Sequence, residues 1–187
     1  VYTVRSDPAF QGILPYEATL EKDIETIQLD AIGILVTSEI PMAYVLQENE
    51  TKESMIIDIE REEDIGRYVV YGKSYTLYQK EPAEGYAQHS PVTFTVEKEN
   101  TDIHFAYVHG YPVTLESEVL AKAIVYKDKE CKEPLINHLG QPMCITPKDQ
   151  VFLPSGTYYY RYEDIDSHYY AIEDVFSFEV KDDKVTI

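Results

Sequence analysis

Residues 75–79 read Y-T-L-Y-Q. They place Tyr75, Leu77 and Gln79 on one face of a strand, because strand side chains alternate with a period of two. Pro82 and Gly85 break that strand, and Tyr86 closes the turn. Upstream, Gly72 sets a turn after the apolar run 68–71, and downstream Val92-Thr93-Phe94-Thr95-Val96 begins another strand. Apolar runs this short, bounded by turn residues, predict an all-β fold of antiparallel strands, and no long helical period competes with it.

The pattern recurs. Tyr16-Glu17-Ala18-Thr19-Leu20-Glu21 is answered by Tyr111-Pro112-Val113-Thr114-Leu115-Glu116, and the apolar run 31–36 by 121–126. Residues 68–79 are answered by 151–162, and Phe94-Thr95-Val96 by Phe178-Glu179-Val180. Such self-similarity predicts two copies of one unit. The expected division is a lead-in segment 1–11, a first β-sandwich over 12–104 and a second over 105–187, each of short strands. The junction has no Gly/Ser linker, which predicts a semi-rigid pair. The acidic stretch 48–63 is interrupted by Met55-Ile56-Ile57 and reads as a turn followed by a strand with a solvated outer face.

Composition narrows the function classes. Sixteen Lys and Arg stand against 34 Asp and Glu, a formal net charge of −18. That surface excludes nucleic acid and anionic membranes as expected partners. Seventeen tyrosines with recurring Val, Ile and Thr favour strands. No stretch approaches the roughly 20 apolar residues of a membrane span, so no membrane insertion is expected of this segment. The start V-Y-T-V-R-S-D-P is not a signal peptide, and the chain reads as a segment of something larger.

The ordering Tyr75-x-Leu77-x-Gln79…Pro82-Ala83-x-Gly85-Tyr86, followed by V-T-F-T-V, resembles the Cna protein B-type (SpaA-type pilin, prealbumin-like) domains of bacterial surface proteins. Their hallmark has the form G-x-Y-x-L-x-E-x-x-A-P-x-G-Y. The resemblance implies tandem Cna B-type sandwiches in a Gram-positive, cell-wall-anchored surface protein. It also implies an internal isopeptide chemistry, in which a buried lysine amine attacks an Asn side chain while a buried Glu moves the proton. Carried onto this sequence, the lysine position of the first copy falls on Lys22 and the glutamate position on Gln79. No Asn stands around 107–109. In the second copy Ser117 takes the lysine position and Tyr162 the glutamate position. An amide has no titratable proton near neutral pH, and in the second copy Ser117 supplies no amine and Tyr162 no carboxyl, so both copies are expected to be unlinked.

The remaining constellations are weaker. Leu153-Pro154-Ser155-Gly156-Thr157 is a turn before a strand rather than a sorting signal. Asp164, Asp166 and His168 alternate but lack the Gly and distal Glu of a calcium loop, so no metal is expected. Cys131 and Cys144 could close a short disulfide loop, although surface proteins of the resembled kind are poor in disulfides, which favours free thiols. No nucleophile elbow or phosphate loop occurs, so neither catalysis nor a cofactor is expected.

Two readings of function stand. The first is a non-catalytic stalk module of an adhesin or pilin-like protein, whose partners are neighbouring domains of the same chain. The second is an adhesion module whose acidic, Tyr-rich surface, with Tyr158, Tyr159, Tyr160, Tyr169 and Tyr170, contacts a host protein or glycan. Tyrosines buried strand by strand favour the stalk. A co-planar exposed set favours binding.

Overall fold

The computed structural model describes residues 2–4, 16–18, 31–59, 65–97, 102–163 and 174–187, the first two segments as backbone only. All regular structure among them is β. The described residues gather into two compact units. The first comprises Val1–Lys80 with Pro91–Ala106, and the second Glu81–Ser90 with Tyr107–Ile187. Residues 81–90, which a single cut near 104 would give to the first copy, pack with the second. The hallmark stretch is therefore divided: Tyr75, Leu77 and Gln79 serve one unit, and Pro82, Gly85 and Tyr86 the other.

In the first unit β1 (Tyr2–Val4) and β2 (Tyr16–Ala18) form a small antiparallel pair. The sandwich follows. β3 (Ala31–Ser38) lies between β6 (Ile65–Val70) and β9 (Asp102–Phe105) in a three-stranded sheet. A four-stranded sheet runs β5 (Ser54–Ile59), β4 (Met42–Glu48), β7 (Ser74–Gln79), β8 (Val92–Thr95). Burial alternates as the pleat requires: Tyr44, Leu46 and Glu48 on β4 face inward, as do Tyr75, Leu77 and Gln79 on β7. Ile34, Val36 and Val69 from the other sheet complete this core.

The second unit repeats the order strand for strand. β10 (Tyr111–Thr114) lies between β13 (Gln150–Leu153) and β16 (Val185–Thr186). The second sheet runs β12 (Cys144–Ile145), β11 (Lys122–Tyr126), β14 (Gly156–Glu163), β15 (Phe176–Val180). Val113, Val151 and Leu153 from one sheet meet Ala123, Val125, Tyr158 and Val180 from the other in one buried cluster. Gly110, just before β10, is required by close approach, since a Cβ there would lie 2.9 Å from the Cβ of Phe152.

The strands differ from the sequence reading in two respects. Ladders are antiparallel except that the first and last strands of each sandwich run parallel, β3 with β9 and β10 with β16. The repeat is also offset at its start. By sheet order β10 corresponds to β3, not to the segment at 16–21, and β11 corresponds to β4, not to 31–36. The mismatch has a physical cause. β3 and β11 are both flanked on two sides by strands, and central strands read as similar apolar runs whichever sheet they belong to. The later correspondences, β7 with β14 and β8 with β15, coincide with the sequence match.

Candidate functional site

The β7 and β14 tyrosines occupy equivalent positions. Tyr75 pairs with Phe94 across β7–β8, and Tyr158 with Phe178 across β14–β15. The rings stack at 6.0 Å and 26° in the first pair, and at 5.6 Å and 25° in the second. Each hydroxyl reaches back to the end of the preceding strand in the opposite sheet. The Val70 N–H donates to Tyr75 Oη at 3.0 Å, and Tyr158 Oη donates to the Pro154 carbonyl at 2.9 Å. Burial pushes both phenols above their ordinary range. These tyrosines tie the two sheets of each sandwich together.

Gln79 is buried (1% exposed) at the end of β7, opposite Tyr44 on β4. Tyr44 donates its hydroxyl proton to Ser38 Oγ at 3.1 Å and stacks on Phe105 at 4.4 Å. Ser38 in turn donates to the Ile40 carbonyl at 2.7 Å. Gln79 thus lies across the ladder from a Tyr44 that bonds Ser38 and stacks on Phe105. Lys22 lies outside the described residues.

The equivalent end of the second unit is aromatic. Tyr162 pairs with Ala123 and lies half-buried, edge-on to Tyr160 at 5.4 Å and to Phe176 at 5.7 Å. Burial, helped by a hydrogen bond with Tyr162, pushes the Tyr160 phenol up to about 12. The pairs compensate in volume: a large Tyr44 faces an amide, whereas a small Ala123 faces a large Tyr162. Ser117 lies beyond β10, where its Oγ accepts the Val119 N–H at 3.2 Å in a local turn.

The turn after β4 holds a buried carboxylate within the stretch read as acidic and solvated. Glu48 is 4% exposed. Its oxygens accept the backbone N–H groups of Glu50 at 3.1 Å and Thr51 at 2.6 Å. Burial alone would raise this carboxyl, but hydrogen bonds from Thr51 and Glu50 and the Lys73 ammonium hold it below the ordinary range. Lys73 also pairs with Glu50. In the rest of the stretch, Asp58 on β5 is exposed beside buried Ile57 and Ile59, as expected of a half-solvated strand.

Where the first unit has this tight turn, the second has the long excursion 127–143. Two hydrogen bonds lace it to β11, Leu135 N–H to the Val125 carbonyl and Val125 N–H to the Met143 carbonyl, and a third within it joins Met143 N–H to the Leu135 carbonyl. Asn137 organises its tip by accepting the N–H groups of Leu139 and Gln141. Segment 81–90 meets it. Gln88 Oε1 accepts both the backbone N–H of His138 at 3.1 Å and its Nδ1 at 2.9 Å. An amide oxygen only accepts, so this contact places the imidazole proton on Nδ1. On the other side Ala87 N–H donates to the Val108 carbonyl, Gly110 N–H to the Gly85 carbonyl, and the Tyr86 ring meets Tyr107 edge-on at 5.6 Å.

Between the excursion and this segment lies a cleft of about 180 Å³. Leu135, Ile136, Met143, Phe152 and the ring of Tyr158 form its apolar walls, with Gln88, Ser90 and Lys127 among its lining. The sequence reading missed both this cleft and buried Glu48.

Cys131, with a left-handed φ of 52°, and Cys144 on β12 are both free thiols. Burial raises the Cys131 thiol beside Arg161. Among the described residues no three His, Cys, Asp or Glu side chains gather to hold a metal, and no helix is long and apolar enough to cross a membrane. Asp164, Asp166 and His168 lie outside the described residues.

No family model and no curated protein matches the chain. Among solved structures, the Bacillus anthracis TIE protein aligns with 83% of this chain and 33% of its own length, at 15% identity and a TM-score of 0.37. A Streptococcal ancillary pilin aligns with 92% of this chain and 68% of its own, at 14% identity and a TM-score of 0.38. The chain is similar to these proteins and spans a minor part of the first.

Proposed function

We propose that this chain is a non-catalytic structural module of a cell-surface protein of the adhesin or pilin-like kind, anchored to a Gram-positive cell wall, whose partners are neighbouring domains of the same protein. One observation carries the reading: two sandwiches of identical strand order, each tied by the same tyrosine. Two further features support it. Of the tyrosines that would form a binding platform, Tyr158 and Tyr160 are buried in the sandwich and Tyr159 is half-buried, and Gln79 is buried opposite Tyr44. Tyr169 and Tyr170 lie outside the described residues. The test is immunolabelling of intact cells that make the parent protein, with antibodies raised against the second unit. Surface labelling that muramidase digestion releases is the expected result. Labelling seen only after lysis would sink the proposal.

A further inference from the structure

The geometry points to the cleft of the second unit as a binding site for a small apolar carboxylate, an aromatic or branched aliphatic acid with a body about the size of a benzene ring. This goes beyond the stalk role and does not depend on it. The argument begins with size. The cleft measures about 180 Å³, and an apolar cavity of about 150 Å³ is large enough to take up benzene. The floor supplies apolar contact: Met143 and Leu153 are 4% and 2% exposed, and the Tyr158 hydroxyl already donates to the carbonyl of Pro154, which also lines the cleft.

The lining polar groups decide the rest. Gln88 Oε1 is held by His138, which leaves the two amide hydrogens as what this side chain offers. Exposed Ser90 and Lys127 stand at the mouth and add a hydroxyl and an ammonium. All three present donors, and one of them, Lys127, carries positive charge. An apolar slot with donors at its mouth selects an acceptor group on an apolar body, and a carboxylate makes the strongest such bonds. The first unit has the tight turn 49–53 where the second has its excursion, so the site belongs to the second unit by construction of its loops.

The experiment titrates phenylacetate, and separately phenylacetamide, into the full 187-residue chain. Methyl signals of Leu135, Ile136 and Met143 are followed by two-dimensional NMR. Saturable shifts are expected for the acid, with a Kd on the order of millimolar for so small a ligand. The neutral amide should bind about tenfold more weakly, the difference a charge-assisted bond makes. Lys127→Gln, a change at an exposed position, should lower the acid's affinity by about the same factor and leave the amide's unchanged. A tripeptide ending in Phe, with a free or an amidated terminus, separates the sources: binding of the free-terminus peptide identifies a chain end, and binding of phenylacetate alone a free acid. Absence of saturable shifts for both acid and peptide would overturn the inference. Equal affinity for acid and amide, or an acid affinity unmoved by Lys127→Gln, would overturn it as well.

Discussion

The two sandwiches share every strand neighbour and diverge at their loops and at one end of the core. In the first unit β4 turns tightly into β5, and the turn is held by a buried carboxylate, Glu48. In the second the same connection runs through 127–143, bonds back onto β11 and walls a cleft. The first keeps a polar corner, Ser38–Tyr44–Gln79, where the second packs Tyr160, Tyr162 and Phe176. The lesson is that sheet order and the sheet-tying tyrosine are the constant part of this architecture, while polarity and loop length vary around them.

The strongest way to break that comparison is to remove the constant part. Tyr75→Ala and Tyr158→Ala should each cost about 3–5 kcal/mol, since each deletes a buried ring and its stacked contact. Hydrogen exchange should show the loss in β4 and β7 for the first variant, and in β11 and β14 for the second. Protection lost to the same extent in both units for both variants would contradict a separate core in each.

Next in size is Gln79→Glu. Burial disfavours the charged form and raises the new carboxyl, so the variant should approach wild-type stability in acid below about pH 4 and fall behind as pH rises. At neutral pH the expected deficit is about 2–4 kcal/mol, measured by urea unfolding at several pH values. Tyr162→Glu, at a half-buried position, should show a smaller pH-dependent loss. Equal losses would erase the distinction drawn between the two core ends.

The tyrosine hydroxyls give a finer test. Tyr75→Phe orphans the Val70 N–H, whereas Tyr158→Phe removes one donor from the Pro154 carbonyl, which has a second lone pair. Costs of about 1–3 kcal/mol are expected, with Tyr75→Phe the larger, read from denaturant midpoints. The reverse order would contradict the argument that an orphaned N–H costs more than a carbonyl that loses one donor.

Much of this was legible in the alternation of side chains. A period of two puts Tyr75, Leu77 and Gln79 on one face, while Tyr158, Tyr159 and Tyr160 read equally as core or as platform until the sandwich shows Tyr158 and Tyr160 buried. The early part of the repeat was not legible, because β3 and β11 are both central strands and carry alike apolar runs. Glu48 and the cleft were hidden for another reason. Local sequence marks the turn residues but gives no measure of how deeply a carboxylate is covered, or where an excursion such as 127–143 comes to rest.

Smaller still is the acid behaviour of Glu48. Its carboxyl is lowered in the folded state, so its contribution is complete above the ordinary unfolded value and disappears as pH falls through the folded one. Glu48→Gln should therefore be less stable by about 1–2 kcal/mol at neutral pH, and the gap should close in strong acid. A gap that persists unchanged there would assign the loss to packing. The smallest expected effect is none: the intact mass should equal the sequence mass, without the ammonia lost by an isopeptide bond or the hydrogens lost by a disulfide. A deficit of one ammonia traced to a branched peptide containing Lys22 would show a cross-link in the first unit but not the second.

In each sandwich the first and last strands lie side by side and parallel, β3 beside β9 and β10 beside β16. The upstream end of one strand and the downstream end of its neighbour therefore sit at opposite ends of the ladder. Tension applied along the chain meets those hydrogen bonds in shear. Their resistance is summed, because the bonds must yield together rather than peel open one at a time. The arrangement makes each unit hardest to pull apart along the direction in which a tethered chain is loaded.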